Sequence, residues 1–395
     1  MRVCLVSMSV IEDDPRVRRQ GDALAGAGHD VAAIGIPGPR SAPPSWPVHH
    51  VTGRKRSRIA NITMVARVAT ADVVGSLAER IFWSFRYNRA FLEAALSVHA
   101  DLYLANDWWV LPVAQHAAAT LGASYAYDTH EYAVEENAQR RSWNLLFPRY
   151  IDRIERAGIG GASLVTTVAP GIADLLTARY GLATPPTVIR NVPPRQAVPP
   201  RGASAPYVVL YQGMFNPDRR LDVLIRSVEH WRDEFRLVLR GDGAPSQLEL
   251  LRQAAAPLGD RVRIEPPVPM TEMVQNAATA DVGIHPIPTT NPQARYCLPN
   301  KLFEYAMAGL AVCVSDVPEM RRVVDEYGFG ITIGSTSADG IAAAVNSLDR
   351  DSITRFRSNA LVAAEQLNWD QEQQKLFALF SELNLRSCRN SGRQR

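Results

Sequence analysis

Short apolar runs alternate with amphipathic stretches along the first half of this chain. Apolar runs without polar alternation are typical of parallel strands that are buried on both faces. The predicted strands lie at 3–7, 31–36, 101–105, 124–128 and 163–168, with helices at 15–28, 111–121 and 149–157 between them. This order predicts a doubly wound α/β domain.

The same alternation starts again in the second half, after a proline-rich stretch at 194–203 that has no apolar period and is typical of a linker. The predicted strands lie at 207–213, 236–239, 262–265, 280–286, 310–315 and 330–333. One predicted helix ends near residue 230, and the others lie at 247–256, 270–278, 298–309, 338–348, 353–366 and 369–385. We therefore predict two domains, at 1–193 and 204–367, then a crossover helix at 368–386 and a disordered tail at 387–395.

Composition limits the function classes. The 395 residues are 46% hydrophobic and 21% charged, which suits a globular protein with two cores. The net charge of +3 is too small to indicate a nucleic-acid partner. The scattered cysteines have neither disulfide nor zinc-ligand spacing. No signal peptide and no apolar run of about 18 residues is found, so the expected location is cytoplasmic.

The loop after the first predicted strand lacks the GxGxxG fingerprint, which argues against a nicotinamide dehydrogenase. Instead it carries three carboxylates at 12–14. They could be mistaken for a metal-binding motif, but capping of the next helix by Asp14 is the favoured interpretation.

A basic stretch with interleaved aromatic residues lies between Arg54 and Arg89. Such a stretch suits an anionic membrane surface, with peripheral attachment to the inner face of the membrane, a lipid-linked substrate or a phosphate. The alternative is that the aromatic side chains belong to the core and the arginines are solvated.

Polar residues follow several predicted strands, where open α/β sheets bind ligands. In the first half, Asp107 and His130 occupy such positions. In the second half, the glycine-containing turn at 240–243 would let a ligand approach the backbone, and the nearby arginines suit phosphate.

The segment 298–309 is predicted to be a short helix, because Pro299 suits its first turn and Gly309 its end. Its free N–H groups and the charge of Lys301 would favour a phosphate. Glu304 lies about one turn further on, where its carboxylate could accept hydrogen bonds from sugar hydroxyls. A buried helix with a solvated Lys and Glu is the alternative from this stretch alone.

The order of these pieces resembles the GT-B glycosyltransferases of the family 4 type, which are retaining enzymes that use nucleotide sugars. The matching pieces are 14–17, 27–31, 128–131, 167–171, 191–193, Gly213 with Arg219, 241–243 and 299–309. The resemblance implies two Rossmann-like domains with an interdomain cleft, and a C-terminal helix that packs back on the first domain. It also implies transfer from a nucleotide-diphosphate sugar without a metal or other cofactor.

The resemblance assigns roles to individual residues. The residues it implicates in catalysis are His130, Arg219 and Glu304. The donor would be bound by Gly213, Arg219, Arg220, Arg240, Gly241, Asn300, Lys301 and Glu304, with Tyr296, Cys297, Leu298 and Pro299 near the donor sugar. The acceptor side would comprise Asp14, Arg16, Arg19, Asp107 and Glu131.

Two positions depart from the family pattern. Tyr296 replaces the first glutamate of the Glu-x7-Glu motif, and Met214 stands where an arginine is common. A nucleotide-sugar epimerase on the same fold is one alternative, and a non-catalytic GT-B partner protein, which the tyrosine at position 296 favours, is the other. The sequence leaves the acceptor open between a polysaccharide, a glycolipid and a natural-product aglycone.

Overall fold

The computed structural model describes residues 1–38, 41–53, 68, 77–136, 141–289 and 292–392. The chain divides into two compact units, Met1–Asn191 with Gln373–Arg395, and Val192–Glu372. Both contain a parallel sheet with helices between the strands, so the predicted fold class is confirmed. None of the helices within these described ranges is long and apolar enough to cross a membrane.

The first unit is built on a seven-stranded parallel sheet with the order β3-β2-β1-β4-β5-β6-β7. Its strands are β1 Arg2–Ser7, β2 Asp30–Gly35, β3 Val48–His50, β4 Leu102–Asn106, β5 Ser124–Thr129, β6 Val165–Thr167 and β7 Thr187–Val188. The helices are α1 Pro15–Gly26, α2 Ala78–Ser84, α3 Arg86–Val98, α4 Leu111–Leu121, α5 Arg141–Gly158 and α6 Pro170–Tyr180. The central strands are almost fully buried, as their unbroken apolar runs predict.

The second unit is built on a six-stranded parallel sheet with the order β10-β9-β8-β11-β12-β13. Its strands are β8 Tyr207–Gln212, β9 Phe235–Arg240, β10 Val262–Glu265, β11 Val282–His285, β12 Ala311–Ser315 and β13 Gly330–Ile333. The helices are α7 Leu221–Ser227, α8 Pro245–Ala255, α9 Met273–Ala277, α10 Asn300–Met307, α11 Pro318–Tyr327, α12 Ala338–Asn346 and α13 Arg350–Ala364.

The proline-rich segment 194–203 belongs to the second unit and is anchored to it. Asp281 accepts hydrogen bonds from the Nη2 of Arg201 at 2.9 Å, from the Nη1 of Arg357 at 3.1 Å and from the backbone N–H of Val208 at 2.9 Å. Because this carboxylate is buried, its two arginines hold the segment against the start of the sheet.

The last helix, α14 (Trp369–Gly392), belongs to the first unit from Gln373 onwards. The ring of its buried Phe380 packs edge-on against His29 with centroids 5.6 Å apart. The helix extends beyond its predicted end at 386, into the stretch 387–392 for which disorder is predicted.

Strand β3 and the helices α6 and α11 are among the elements that have no counterpart in the prediction. The two helices each begin at a proline and end before a glycine in the left-handed conformation, which is Gly181 for α6 and Gly328 for α11. These are ordinary helix start and stop signals. Helix α5 also begins at Arg141, eight residues before its predicted start.

Part of the basic and aromatic stretch between Arg54 and Arg89 lies outside the described residues, namely 54–67 and 69–76. On α2 and α3, Phe82 and Phe91 are buried, whereas Arg80, Arg86 and Arg89 are exposed. On these two helices, the structure agrees with the alternative interpretation, in which the aromatic side chains belong to the core and the arginines are solvated.

Candidate functional site

In the second unit, the chain reverses its winding direction between β8 and β11, and a crevice opens at such a switch point in doubly wound folds. The two strands pair only through Val209 with Val282 and Leu210 with Gly283 among the described residues. Beyond that point, the Tyr305 hydroxyl accepts a hydrogen bond from the N–H of Gln212 at 3.0 Å and lies 3.5 Å from the carbonyl oxygen of Ile284. Tyr305 therefore stands between the carboxyl ends of the two strands.

Two glycines at this edge are required by close approach. A β-carbon on Gly241 would overlap the carbonyl oxygen of Gly213. A β-carbon on Gly213 would lie 2.5 Å from the Cε and 2.7 Å from the Nζ of Lys301, and its φ of +129° favours glycine. The ammonium group of Lys301 thus lies directly against the backbone after β8.

Lys301 is half-buried beside the ring of Tyr211. Its Nζ lies 5.9 Å from the centroid of the Tyr211 ring. Burial lowers the pKa of Lys301, the carboxylate of Glu304 opposes this, and the positive charge of Arg219 lowers it further. Two cations and one carboxylate therefore act on one another at the β8 and β11 ends, which is a suitable charge pattern for a phosphate ligand.

Helix α10 begins at Asn300 with Pro299 in the N-cap position, two residues after the predicted start at 298. The side chain of Pro299 accepts no hydrogen bond. The N-cap residue therefore does not satisfy the first N–H groups of α10 with its side chain. Glu304 lies in the second turn of the helix and is half-buried. The structure therefore brings together Gly213, Gly241, Lys301 and Glu304 in one unit, along with Asn300 and Arg219.

Two arginines predicted to bind the donor diphosphate already pair with carboxylates. Arg240 places its Nε 2.9 Å and its Nη2 2.8 Å from the Oε2 of Glu265. Arg220 places its Nε 3.4 Å from Asp222 and adopts a left-handed φ of 49°. Arg219 is half-buried, and its positive charge acts on Lys301.

The predicted sugar-binding segment precedes α10. Tyr296 ends a short 3-10 turn, Pro292–Tyr296, and Leu298 is buried. Cys297 is half-buried and acts electrostatically on Lys301. Met214, where an arginine is common, has 64% of its surface exposed.

In the first unit, the buried carboxylate of Asp128 at the end of β5 organises the strand ends. It accepts hydrogen bonds from the Nε and Nη2 of Arg16, from Gln20 Nε2 and from Thr166 Oγ1, all at 2.6 Å. Burial would raise the pKa of Asp128, but Arg16 and His130 hold it well below its ordinary value. Arg16 also donates to the carbonyl oxygen of Ile189 at 2.7 Å. Arg16, predicted on the acceptor side, is thus a buried structural partner of Asp128.

His130 is positioned by two side chains from neighbouring strand ends. Its Nε2 lies 3.2 Å from the Oδ1 of Asn106 and 3.5 Å from the Oδ2 of Asp128. Burial lowers the pKa of His130, but the hydrogen bond and the charge of Asp128 raise it above its ordinary value overall. His130 is therefore suited to carry a positive charge or to donate a hydrogen bond.

The other predicted acceptor-side residues are spread around this edge. Asp14 caps α1, accepting from the N–H groups of Arg16 at 3.1 Å and Val17 at 3.2 Å, which confirms the favoured capping interpretation. Arg19 donates to the Oδ1 of Asn191. Asp107 caps the 3-10 turn Trp108–Val110, and Glu131 is exposed.

The sequence analysis did not identify three further titratable side chains, which are Glu136, Glu155 and His285. Burial and the charges of Asp107 and Glu131 raise the pKa of Glu136 to about 8. Glu155 is fully buried beneath the tyrosines of β5 and α6, and His285 is fully buried at the end of β11. The position of His285 directly after an apolar run is the one signal that could have found it, because polar groups at strand ends face ligand sites.

Two protein families match the sequence, one in each unit. Residues 14–195 match the glycosyl transferase 4-like domain, and residues 206–351 match the family described as glycosyl transferases group 1. Together the two matches span most of the chain. No curated protein matches the sequence.

Several solved structures share the fold. Sucrose-phosphate synthase from Thermosynechococcus elongatus is 18% identical with a TM-score of 0.72, over 98% of this chain and 99% of that one. HepE of Anabaena in complex with UDP-glucose is 16% identical with a TM-score of 0.68, over 97% and 100%. A glycosyltransferase from Rickettsia africae is 10% identical with a TM-score of 0.68, over 96% and 98%.

Proposed function

We propose that this chain, a glycosyltransferase of the GT-B fold by the two domains it carries, moves a sugar from a nucleotide-diphosphate sugar to an acceptor hydroxyl with retention of configuration. The observation that carries the proposal is the contact between Lys301 and Gly213 at the switch point of the second sheet. A glycine backbone, a neighbouring cation and the start of a helix suit a diphosphate in one place.

The donor would be held by the second unit. Lys301, Arg219 and the first N–H groups of α10 would bind the diphosphate, and Glu304 would accept hydrogen bonds from the ribose hydroxyls. Because Arg220 and Arg240 already pair with Asp222 and Glu265, they would contribute less to this binding. Tyr296 would take the sugar-facing position that a glutamate usually holds.

The chemical step would be a front-side attack, in which the acceptor hydroxyl approaches from the face that the diphosphate leaves. Cations and helix N–H groups would stabilise the negative charge that grows on the leaving diphosphate. No carboxylate nucleophile and no metal ion takes part in this scheme. This separates the reaction from that of a retaining hydrolase, which uses two close carboxylates.

The acceptor would be bound by the first unit, with His130 close to the transferred sugar. His130 can donate a hydrogen bond there because Asn106 and Asp128 fix its ring. Contact with a membrane surface or a lipid-linked acceptor stays a prediction, because most of the basic residues between Arg54 and Arg89 lie outside the described residues.

The test is a screen of nucleotide sugars for thermal stabilisation of the full chain, followed by turnover assays. UDP-glucose is the first probe, because HepE of Anabaena binds it. A ligand that binds only the folded chain raises its melting temperature by mass action. Product that forms only when an acceptor is added supports a transferase, whereas conversion of the donor without an acceptor would indicate an epimerase. Binding without turnover on any acceptor would indicate a non-catalytic protein.

A further inference from the structure

His285 is the last residue of β11 and has no exposed surface. Neither of its ring nitrogens has a hydrogen-bond partner among the described residues. Its ring stacks on that of Tyr211, with centroids 5.9 Å apart and planes at 21°. A buried imidazole that only filled space would leave two polar atoms unsatisfied, which is unfavourable and rare. The ring is therefore expected to have a polar partner that the described residues do not supply.

The charges near His285 are those of the candidate donor site. Burial, followed by the positive charges of Lys301 and Arg219, lowers the pKa of His285 well below its ordinary value. Glu304 lies on the same helix as Lys301, and it opposes burial in setting the pKa of that lysine. On the elements packed against β11, burial raises the pKa of the phenols of Tyr211 on β8 and Tyr305 on α10, and of the thiol of Cys313 on β12. Burial and these charges favour the neutral form of His285.

We propose that His285 binds the diphosphate of the nucleotide-sugar donor and takes up a proton when it does so. The inference rests on the proposed function. Both groups lie beside the ring of Tyr211, since His285 stacks on it and the Nζ of Lys301 lies 5.9 Å from its centroid. A diphosphate held by Lys301 and Arg219 would neutralise the charges that disfavour an imidazolium and add negative charge beside it. The imidazolium N–H would then donate a charge-assisted hydrogen bond to a phosphate oxygen.

The proton can be counted by isothermal titration calorimetry of UDP-glucose binding to the full chain at pH 6.0. The measurement is made in buffers with different ionisation enthalpies, and the slope of the binding enthalpy against the buffer enthalpy gives the number of protons taken up. UDP-glucose is a suitable probe because its diphosphate, esterified at both ends, does not titrate near this pH. We expect the wild-type chain to take up more than half a proton. No uptake by the wild type overturns the proposal.

Three variants identify the group that takes up the proton. His285→Gln is expected to lose the uptake and to bind UDP-glucose about tenfold more weakly. Lys301→Arg keeps a positive charge that does not titrate, so it should retain the uptake if His285 is the acceptor of the proton. His116→Gln, a change at a histidine of the first unit that pairs with Glu79, should behave as the wild type. Equal uptake by the wild type and His285→Gln contradicts the proposal.

A variant that does not fold and a chain that binds no nucleotide sugar are two further outcomes, and each has its own interpretation. If His285→Gln does not fold, the wild type labelled with ¹⁵N-histidine is titrated with UDP-glucose, and one imidazole should change from the neutral to the protonated NMR pattern. The absence of any such change overturns the proposal. If neither UDP-glucose nor any other nucleotide sugar of the screen binds, the proposed function itself fails. Binding without proton uptake removes only the role of His285.

Discussion

Gly241 packs so closely on Gly213 that a β-carbon at position 241 would overlap the carbonyl oxygen of Gly213. The two backbones are also joined by a hydrogen bond from the N–H of Gly213 to the carbonyl oxygen of Arg240 at 2.8 Å. Because both contacts are between backbone atoms, no side-chain rotation can relieve the overlap. The loops after β8 and β9 are therefore fixed relative to each other by the absence of a side chain.

We expect Gly241→Ala to destabilise the second unit by about 2–3 kcal/mol, which is typical of overpacking a tight position. It should also weaken UDP-glucose binding, because the backbone at Gly213 must move away from its contact with Lys301. Denaturant unfolding and calorimetry measure the two effects. Gly202→Ala is the matched control, since a β-carbon there meets nothing within 4 Å. If both variants behave alike, the contact between the loops is not what holds the site.

Glu304→Gln should lower kcat/KM for sugar transfer by about 10–100-fold, the effect of removing a hydrogen bond to a charged group. The fold should survive, because Glu304 lies at the half-buried face of α10. Steady-state kinetics and the melting temperature check these two expectations. Glu249→Gln on the exposed face of α8 serves as the control. Unchanged transfer by Glu304→Gln would remove this residue from the donor site.

Much of the fold could be predicted because buried parallel strands give local, unbroken apolar runs. Strand β3 is only three residues long and half exposed, so it gives no such run. In the site, Lys301 and Glu304 could be found because they lie within one short helix. The pairing of Arg240 with Glu265 could not be predicted, because these residues meet only through the register of β9 with β10. The setting of His285 likewise depends on how β8 and β11 separate around Tyr305.

The buried hydrogen bonds of Asp128 lead to a prediction about Arg16. Removing Arg16 would take the guanidinium partner from a buried carboxylate, and the loss of one partner of a buried ion pair typically costs about 3–5 kcal/mol. We expect Arg16→Ala to lower the unfolding temperature of the first unit strongly while UDP-glucose binding by the second unit persists. Differential scanning calorimetry with and without UDP-glucose separates the loss of stability of the first unit from a loss of UDP-glucose binding. Arg18→Ala, which removes an exposed pair with Asp22, is the control and should change stability little. A stable Arg16→Ala chain would show that Asp128 does not depend on this pair.

Glu155 leads to a prediction about the pH dependence of stability. It is fully buried and accepts hydrogen bonds from the hydroxyls of Tyr127 at 2.6 Å and Tyr180 at 2.8 Å. Burial raises its pKa from 4.5 to about 7, although the two tyrosines oppose this. Between these values the folded chain binds more protons at Glu155 than the unfolded chain. The contribution of this group to stability is therefore greatest below pH 4.5 and falls, by about 3 kcal/mol in all, as the pH rises through 7.

Glu155→Gln keeps the shape of the side chain and cannot ionise, so it should remove this pH dependence. We expect the variant to gain stability relative to the wild type between pH 5 and pH 8, because only the wild type must bury a charge at the higher pH. Thermal unfolding of the first unit across this range measures the difference. Glu229→Gln, an exposed position in the second unit, should follow the wild type throughout. Parallel curves for the wild type and Glu155→Gln would mean that Glu155 has the same pKa in the folded and unfolded chains.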